Sequence, residues 1–443
     1  MNDRRIAYNI FINVVEKGAY INLALKEGLY GADSSTASSI TALVYTAVEN
    51  LNYCDFIIKN YAKGRLHKQI RNILRLGIAE LLFMHTPVYA VCNESVELTK
   101  KIGKTSLSGF VNGVLRKVDR DRENLPALPG EPREYLNIKY GLPLFLADEY
   151  LAEYGLEFTE SMLCSHHKFM TIRTQYPFST DSFLSADFEK MDPIFVGKTM
   201  AVGKIVSDAV KIDTGFDVRK SKLFNEGHIT VQGESAMLVC KICGVAPGMK
   251  VLDACSAPGG KSAYLSSLMK GNGEIVACDV HDTRIELTRA TLERLHVHNA
   301  KCIPMDAAEY CEQFADAFDV VLVDAPCSGF GVSSKPDTFI NRSSDSINEI
   351  AALQYRIISN CSKYVKPGGT LVYSTCTISK RENECVVKKF CEQHKEYEMY
   401  PFTDALPAYL RERAENGMLQ LFPNTDGADG FFIARFKRNK QEE

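Results

Sequence analysis

Cys327 and Cys376 each stand just beyond an apolar, strand-like run. Val320-Val321-Leu322-Val323 leads into Asp324-Ala325-Pro326-Cys327-Ser328-Gly329, and Thr370-Leu371-Val372-Tyr373 leads into Ser374-Thr375-Cys376-Thr377. A thiolate is a nucleophile for an electrophilic carbon, and it requires a polar, partly exposed setting that lowers its pKa. Cysteine is more often a small buried hydrophobe, and that reading suits most of the 14 in this chain. Pro326 and Gly329 mark an irregular loop around Cys327, and Cys376 lies among hydroxyls, so these two are read as functional loop thiols.

Thiols so placed suit a particular reaction. C5 of cytosine or uracil is too poor a nucleophile to take a methyl group directly from a sulfonium. Addition of a thiolate to C6 breaks the ring's conjugation and makes C5 enamine-like, so that C5 attacks the methyl group; loss of the C5 proton and elimination of the thiol then restore aromaticity. One cysteine serves as nucleophile, and a second group that helps expel it is an advantage.

A cofactor loop lies upstream, at Asp253-Ala254-Cys255-Ser256-Ala257-Pro258-Gly259-Gly260-Lys261. Its paired glycines allow close backbone approach to a ligand and open a helix whose N-terminus favours negative charge. A Walker A loop would need Gly at Cys255, and the dinucleotide fingerprint G-x-G-x-x-G is absent. S-adenosylmethionine is the third reading, because it needs backbone approach but brings no pyrophosphate. Three carboxylates decide for it. Asp279 ends a second strand-like run, where an acid can accept from both ribose hydroxyls; Asp306 follows a third run, within reach of an adenine edge, and Asp324 ends the fourth. One such aspartate is usually a cap or turn residue, but three at successive strand ends beside a glycine-rich turn point to a nucleoside.

These residues need a frame that brings strand ends to one edge. From about residue 231 the chain reads as strand, glycine-rich turn and helix, with strands expected at 250–254, 275–278, 301–305, 320–323 and 370–374 and helices at 285–295 and 347–364. Such alternation predicts a parallel, doubly wound α/β sheet that collects ligands at the carboxyl ends of its strands. Residues 135–230 read as a small α+β subdomain, opening with a helical run over 144–163 and passing into short strand-like patterns such as 169–173. Residues 1–125 read as helices throughout. Ile70, Ile73, Leu74, Ile78, Leu81 and Leu82, then Phe110, Val111, Val114, Leu115 and Val118, keep the spacing of a buried helical face. Pro126, Pro129, Gly130 and Pro132 mark a linker.

The 443 residues, 45% hydrophobic and 24% charged, are ordinary for a folded protein of two or three domains. No apolar stretch approaches the roughly 18 residues of a membrane span. Met1-Asn2-Asp3-Arg4-Arg5 leads into an amphipathic pattern rather than a signal peptide's apolar core, so a cytoplasmic protein is expected. The cysteines lack the spacing of a disulfide framework and fit a reducing compartment. Cys240-Lys241-Ile242-Cys243 has zinc-ligand spacing, but it sits in a helical pattern with no second pair, so packing is expected and no metal. The net charge of −3 hides a division, because residues 1–120 carry 16 Lys+Arg against 10 Asp+Glu and the remainder 36 against 45. Arg65, Lys68, Arg71 and Arg75, then Lys100, Lys101 and Lys104, then Arg116, Lys117 and Arg120 lie opposite the apolar faces. Each alone suits a solvated helix; together they are expected to hold RNA.

The motifs resemble a known family. Asp324 to Gly329, Lys335-Pro336-Asp337, Lys366-Pro367-Gly368-Gly369, Tyr373-Ser374-Thr375-Cys376, Gln232-Gly233-Glu234-Ser235-Ala236-Met237 and Asp426-Gly427-Ala428-Asp429-Gly430-Phe431-Phe432 resemble the RsmB/Sun family of 16S rRNA (cytosine-5) methyltransferases within the Nol1/Nop2/Sun superfamily. Arg75-Leu76-Gly77, Asn93-Glu94-Ser95-Val96-Glu97-Leu98 and Phe110-Val111-Asn112-Gly113-Val114-Leu115-Arg116 resemble a NusB-type RNA-binding domain. The resemblance implies that Cys376 attacks C6 and Cys327 assists release of the methylated RNA. It further implies that Cys255, Ser256, Ala257, Pro258, Gly259, Gly260, Lys261, Asp279, Asp306 and Asp324 bind S-adenosylmethionine, with Asp324 adjoining the cytosine. Asn424 stands where the family often has His, and the chain lacks the Trp its relatives often carry near residue 150.

The expectation is therefore a NusB-like helical RNA-binding domain over 1–125, a small α+β subdomain over 135–230, and a class I S-adenosylmethionine-dependent methyltransferase domain with a Rossmann-like sheet over 231–443. That sheet should end in an antiparallel hairpin around residues 431–436. A monomer acting on free or partly assembled 16S rRNA is expected, since a target base must leave its stack to reach the thiols. A tRNA methyltransferase and a non-catalytic RNA-binding antitermination factor are the alternatives.

Overall fold

The computed structural model describes residues 3–165, 169–185, 192–332 and 336–440, which divide into two compact units. Of the motif Lys335-Pro336-Asp337, the lysine falls outside the described residues.

Of the described residues, the first unit comprises 3–163 together with 336–344. Its helices are α1 (Asp3–Val15), α2 (Ile21–Gly28), α3 (Ser34–Glu49), α4 (Leu51–Tyr61), α5 (Lys68–Phe83), α6 (Val88–Lys101), α7 (Ser108–Arg120), α8 (Pro132–Tyr140) and α9 (Leu144–Leu163). Most of the expected apolar faces form the core: Ile70, Ile73, Leu74, Ile78 and Leu81 of α5 pack with Val111, Val114, Leu115 and Val118 of α7, while Leu82 is half-buried against it and Phe110 is exposed. Helix α9 is interrupted at Gly155, whose φ of 74° no helix accommodates. Helix α9, the run expected to open the middle subdomain, groups instead with this unit, together with α8, which starts at the last proline of the expected linker. Asn52 of α4 donates to the Asn137 carbonyl at 2.9 Å, and Glu160 of α9 accepts from Tyr135 and Tyr140 at 2.7 and 2.9 Å. A prolyl linker in the sequence does not itself separate domains when the helix after it is hydrogen-bonded back to the helices before it.

Residues 336–344 also belong here, although they lie between catalytic-half elements in sequence. The Asp337 carboxylate accepts from the Ile21 amide at 2.9 Å, and Ile340 packs on the helical core.

The second unit begins with a four-stranded antiparallel sheet, β1 (Phe169–Thr174), β2 (Met200–Val202), β3 (Ala209–Asp213) and β4 (Ile229–Val231), in the order β2-β3-β1-β4. Helix α10 (Glu234–Ile242) then leads into the large sheet. Its strands and helices alternate: β5 (Lys250–Asp253), α11 (Gly260–Leu268), β6 (Glu274–Asp279), α12 (Asp282–Arg294), β7 (Ala300–Pro304), β8 (Phe318–Asp324), α13 (Ser344–Cys361), β9 (Val365–Thr375), α14 (Glu384–Gln393), β10 (Tyr397–Met399), β11 (Met418–Leu421) and β12 (Phe431–Arg438). The order is β10-β12-β9-β8-β5-β6-β7, with β11 also paired to β12. Strands β5 to β9 run parallel, while β12 is antiparallel to β9, with Phe432 opposite Thr375, and antiparallel to β11, giving the expected terminal hairpin. The strands of the sheet centre are nearly continuous apolar runs because helices cover both faces; Val320, Val321, Leu322 and Val323 of β8 are all buried. The strand order reverses between β5 and β8, so a crevice opens at their carboxyl ends.

Among the described residues, no helix is long and apolar enough to cross a membrane.

Candidate active site

The parallel strands deliver the singled-out residues to one edge. Asp253 ends β5 and the glycine-rich turn follows it, Asp279 ends β6, Asp306 follows β7, Asp324 ends β8, and Cys376 follows β9. The two thiols meet there, with Cys327 Sγ 3.1 Å from Cys376 Sγ. Both are half-buried, as a nucleophile that must also meet a substrate requires. The neighbouring Cys376 thiol, burial and the Glu382 carboxylate together hold the Cys327 thiol well above its ordinary pKa, so Cys327 is protonated at neutral pH.

The cofactor turn is braced from below. Gly259 has φ 99°, and a Cβ there would press at 3.1 to 3.2 Å on Thr288 and Thr291 of α12, so the position needs glycine for its backbone and for close helix approach. Ser256 N donates to the Cys278 carbonyl at 2.7 Å, tying the turn to β6. The buried Ser256 hydroxyl has no hydrogen-bond partner among the described residues, a polar atom aimed for something else to satisfy. Cys255 is pushed well above its usual pKa by burial and stays a neutral thiol. The Asp253 carboxyl, fully buried, accepts from Ser262 Oγ at 2.6 Å, and burial raises its pKa to about 6.

The aspartates differ in role. Asp279 is 4% exposed, accepts from the His281 amide at 3.3 Å and lies 3.3 Å from Arg284. Asp306 is exposed and accepts from the Ala308 amide at 2.9 Å, the ordinary habit of a turn residue. Asp324 is a hub: one oxygen lies 2.7 Å from Lys261 Nζ and the other accepts from Ser374 Oγ at 2.8 Å. Burial lowers the affinity of Lys261 for its proton, but the charge of Asp324 and its hydrogen bond outweigh this, so the ammonium is held firmly. The sequence reading grouped Lys261 with the cofactor contacts; its ammonium is committed to Asp324 and also stands over the Phe431 ring.

Sequence reasoning missed the residues that hold the two thiol loops. Glu382 and Asn383 are fully buried beside them, with Gln354 of α13. The run Lys380-Arg381-Glu382-Asn383-Glu384 reads in sequence as a solvated helix start, and nothing in its pattern separates the two buried members from their neighbours. Cys240 and Cys243 lie inside the core of the sheet's α10 side, their thiols raised by desolvation.

In the helical unit Arg75 is withdrawn from the expected basic face. It is half-buried, with Nε and Nη2 on the two Asp55 oxygens at 2.8 and 2.5 Å, because its place on α5 points inward toward α4. Lys68 lies 3.3 Å from Glu16, and Lys117 stands over the Tyr61 ring.

The geometry accords with what the chain is similar to. Residues 244–437 match the family model described as 16S rRNA methyltransferase RsmB/F, and residues 1–120 match that of the NusB family. The chain is 32% identical over 446 residues to the probable ribosomal RNA small subunit methyltransferase B of Bacillus subtilis (strain 168), covering 98% of each chain. It is 29% identical over 441 residues to the ribosomal RNA small subunit methyltransferase B of Xanthomonas campestris pv. campestris, covering 97% of this chain and 96% of that relative. The crystal structure of PH0851 superposes with a TM-score of 0.81 at 26% identity, covering 99% of this chain and 98% of that one. The structure of a methyltransferase homolog protein from Pyrococcus horikoshii matches with a TM-score of 0.58 at 27% identity, over 70% of this chain and all of that one. A NusB-type helical front joined to a Rossmann-like methyltransferase sheet, alike over nearly the whole length, places the chain in the ribosomal RNA small subunit methyltransferase B family.

Proposed function

We propose that this rRNA methyltransferase transfers a methyl group from S-adenosylmethionine to C5 of a cytosine in 16S rRNA, through a transient bond between Cys376 and C6 of the base. The observation that carries the reading is a pair of half-buried thiols 3.1 Å apart at the same sheet edge as a glycine-rich turn and a buried acid. The residues present fit the donor: the Gly259 and Gly260 backbone allows close approach, Ser256 offers an unsatisfied hydroxyl, and Asp279 offers a carboxylate for ribose hydroxyls. Cys255, Ala257, Pro258, Lys261, Asp306 and Asp324 complete the proposed surround. When bound, S-adenosylmethionine supplies an electrophilic methyl group.

The chain's own residues then do three things. Cys376, as thiolate, adds to C6 and moves the electron pair to C5. Asp324, held by Lys261 and Ser374, fixes a negative charge between the turn and the thiol loops. Cys327, kept protonated by its surroundings and 3.1 Å from the Cys376 sulfur, hydrogen-bonds to that sulfur as it leaves; solvent water takes the C5 proton, the C5–H electron pair forms the C5–C6 double bond, and the C6–S pair returns to Cys376 as thiolate. The basic helical unit supplies the RNA hold. A cytoplasmic monomer acting on free or partly assembled rRNA completes the proposal.

Incubation of the protein with methyl-labelled donor and total RNA, followed by mass-spectrometric mapping, should find 5-methylcytosine in 16S rRNA. Label appearing in tRNA alone would favour the tRNA reading, and binding without transfer would favour an antitermination factor. Cys376→Ala should form no covalent adduct with RNA carrying 5-azacytosine, whereas Cys327→Ala should accumulate a stable protein–RNA adduct. An adduct persisting in Cys376→Ala removes that residue from the nucleophile role.

A further inference from the structure

The thiol loops are not held by their own strands alone. Each cysteine is followed by a hydroxyl residue, Ser328 after Cys327 and Thr377 after Cys376, and both hydroxyls lie on one carboxylate. Glu382 Oε1 accepts from Ser328 Oγ at 2.6 Å and from Thr377 Oγ1 at 3.4 Å, while Oε2 accepts from the Ser328 amide at 2.8 Å. The two hydroxyls are themselves 2.9 Å apart. Gln354 Nε2 reaches both Glu382 Oε2, at 3.1 Å, and the Pro326 carbonyl just before Cys327, at 2.9 Å. Asn383 closes the other side: its Oδ1 accepts from Thr375 Oγ1 at 2.6 Å and its Nδ2 donates to the Thr377 carbonyl at 3.0 Å, one residue on each side of Cys376. The Tyr373 hydroxyl donates to the Glu382 carbonyl at 2.6 Å, fixing the clamp to β9.

A wholly buried carboxylate is costly unless it is well supplied with donors, and Glu382 has four. Burial still raises its pKa despite the Ser328, Gln354 and Thr377 hydrogen bonds. A group retained at that cost and shared between two catalytic loops sets their separation. Catalytic groups must be held to within a fraction of an ångström, and a misplacement of about 1 Å can cost on the order of 100-fold in rate. We propose that Glu382 is the positioning residue that joins the two thiol loops and sets the Cys327–Cys376 distance on which addition and release both depend. Asn383 orients the Cys376 loop within the same clamp. The role in catalysis rests on the methyl-transfer reading above; the clamp itself does not.

Two readouts keep those apart. Diamide, an azo oxidant, takes two electrons and two protons from the paired thiols to give a Cys327–Cys376 disulfide and a hydrazine. Peptide mass spectrometry follows its closure without any RNA or methyl donor. In the intact protein, Glu382→Ala and Glu382→Gln should slow closure at least tenfold, since the amide of Gln presents a donor where Glu382 receives the Ser328 amide. The same variants should lower kcat about 100-fold while KM for S-adenosylmethionine changes less than threefold, a split that general loss of structure would not give. Should either variant lose its cooperative melt, the double variant Ser328→Ala/Thr377→Val, which leaves the carboxylate in place, should slow closure severalfold. Wild-type closure rates in Glu382→Ala or in that double variant overturn the proposal. Slowed closure in a protein that transfers no methyl group would uphold the clamp and remove only the reading beneath it.

Discussion

Near the cofactor turn, the buried Asp253 and the half-buried Lys261–Asp324 pair act on stability in opposite directions. The Asp253 carboxyl has its pKa raised from 3.8 to about 6, chiefly by desolvation. Between those values the unfolded chain loses its proton before the folded chain does. Stability attributable to this group therefore falls as pH rises through that window and is constant above it, a change of roughly 3 kcal/mol. Asp253→Asn keeps an acceptor for Ser262 and should flatten that part of the stability profile; denaturant melts at several pH values from about 4 to 7 would measure it. Lys261 and Asp324 stabilise each other, with side chains 16% and 23% exposed. Lys261→Met leaves Asp324 without its counter-charge and should cost about 3 kcal/mol. Adding Asp324→Asn should recover part of that loss, and a fully additive double mutant would show that the pair is not coupled.

At the level of elements, three chain segments meet behind the thiols. The Gly331 amide donates to the Cys376 carbonyl at 3.1 Å, and the Gly331 carbonyl accepts from the Gly430 amide at 2.8 Å. Strand β12 starts directly after Gly430, so the terminal hairpin supports the loop that carries Cys327. A Cβ at Gly331 would collide with the Gly430 carbonyl, and one at Gly430 would come within 2.9 Å of the Gly331 Cα and of Ile378. Gly331→Ala should therefore displace the Cys327 loop, costing about 1–3 kcal/mol of stability. In the methyl-transfer assay the loss of kcat should be larger than this stability change alone explains. Normal turnover would show that the crossing of these segments is not what fixes the loop.

Across the whole chain, the catalytic half sends a segment into the helical unit. Residues 336–344 leave the β8–α13 connection and satisfy the Ile21 amide through Asp337. Asp337→Ala should destabilise the helical unit by about 1 kcal/mol, seen as an earlier unfolding transition for that unit in calorimetry. The RNA hold belongs to this unit in the proposal, with Lys100, Lys101 and Lys104 as exposed or half-exposed members. Replacing the three by alanine should weaken RNA binding and reduce the slope of log K against log salt by about 0.7 for each lost phosphate contact. An unchanged slope would move the contact elsewhere. Arg75→Ala, by contrast, should act on folding, because its guanidinium is already spent on Asp55.

Periodicity was enough to find the helical front, the strand–helix alternation and the carboxyl-edge positions of Asp279, Asp324, Cys327 and Cys376, because burial on a parallel sheet imposes apolar runs whose ends are visible in one dimension. The motif residues then carried the family. Other features depend on which surfaces meet, and no local pattern encodes that. Helices α8 and α9 group with the front unit, where Asn52 of α4 donates to the Asn137 carbonyl of α8, and residues 336–344 join it from a distant part of the chain with Ile340 on its core. Glu382 and Asn383 look like solvent-facing polar residues until the fold encloses them, and only then does their hydrogen bonding to both thiol loops appear. Sequence determined the kinds of groups available and the edge they would reach; tertiary packing decided which of them are paired, buried and thereby held still, since desolvation and hydrogen-bond satisfaction exist only once the chain has closed around them.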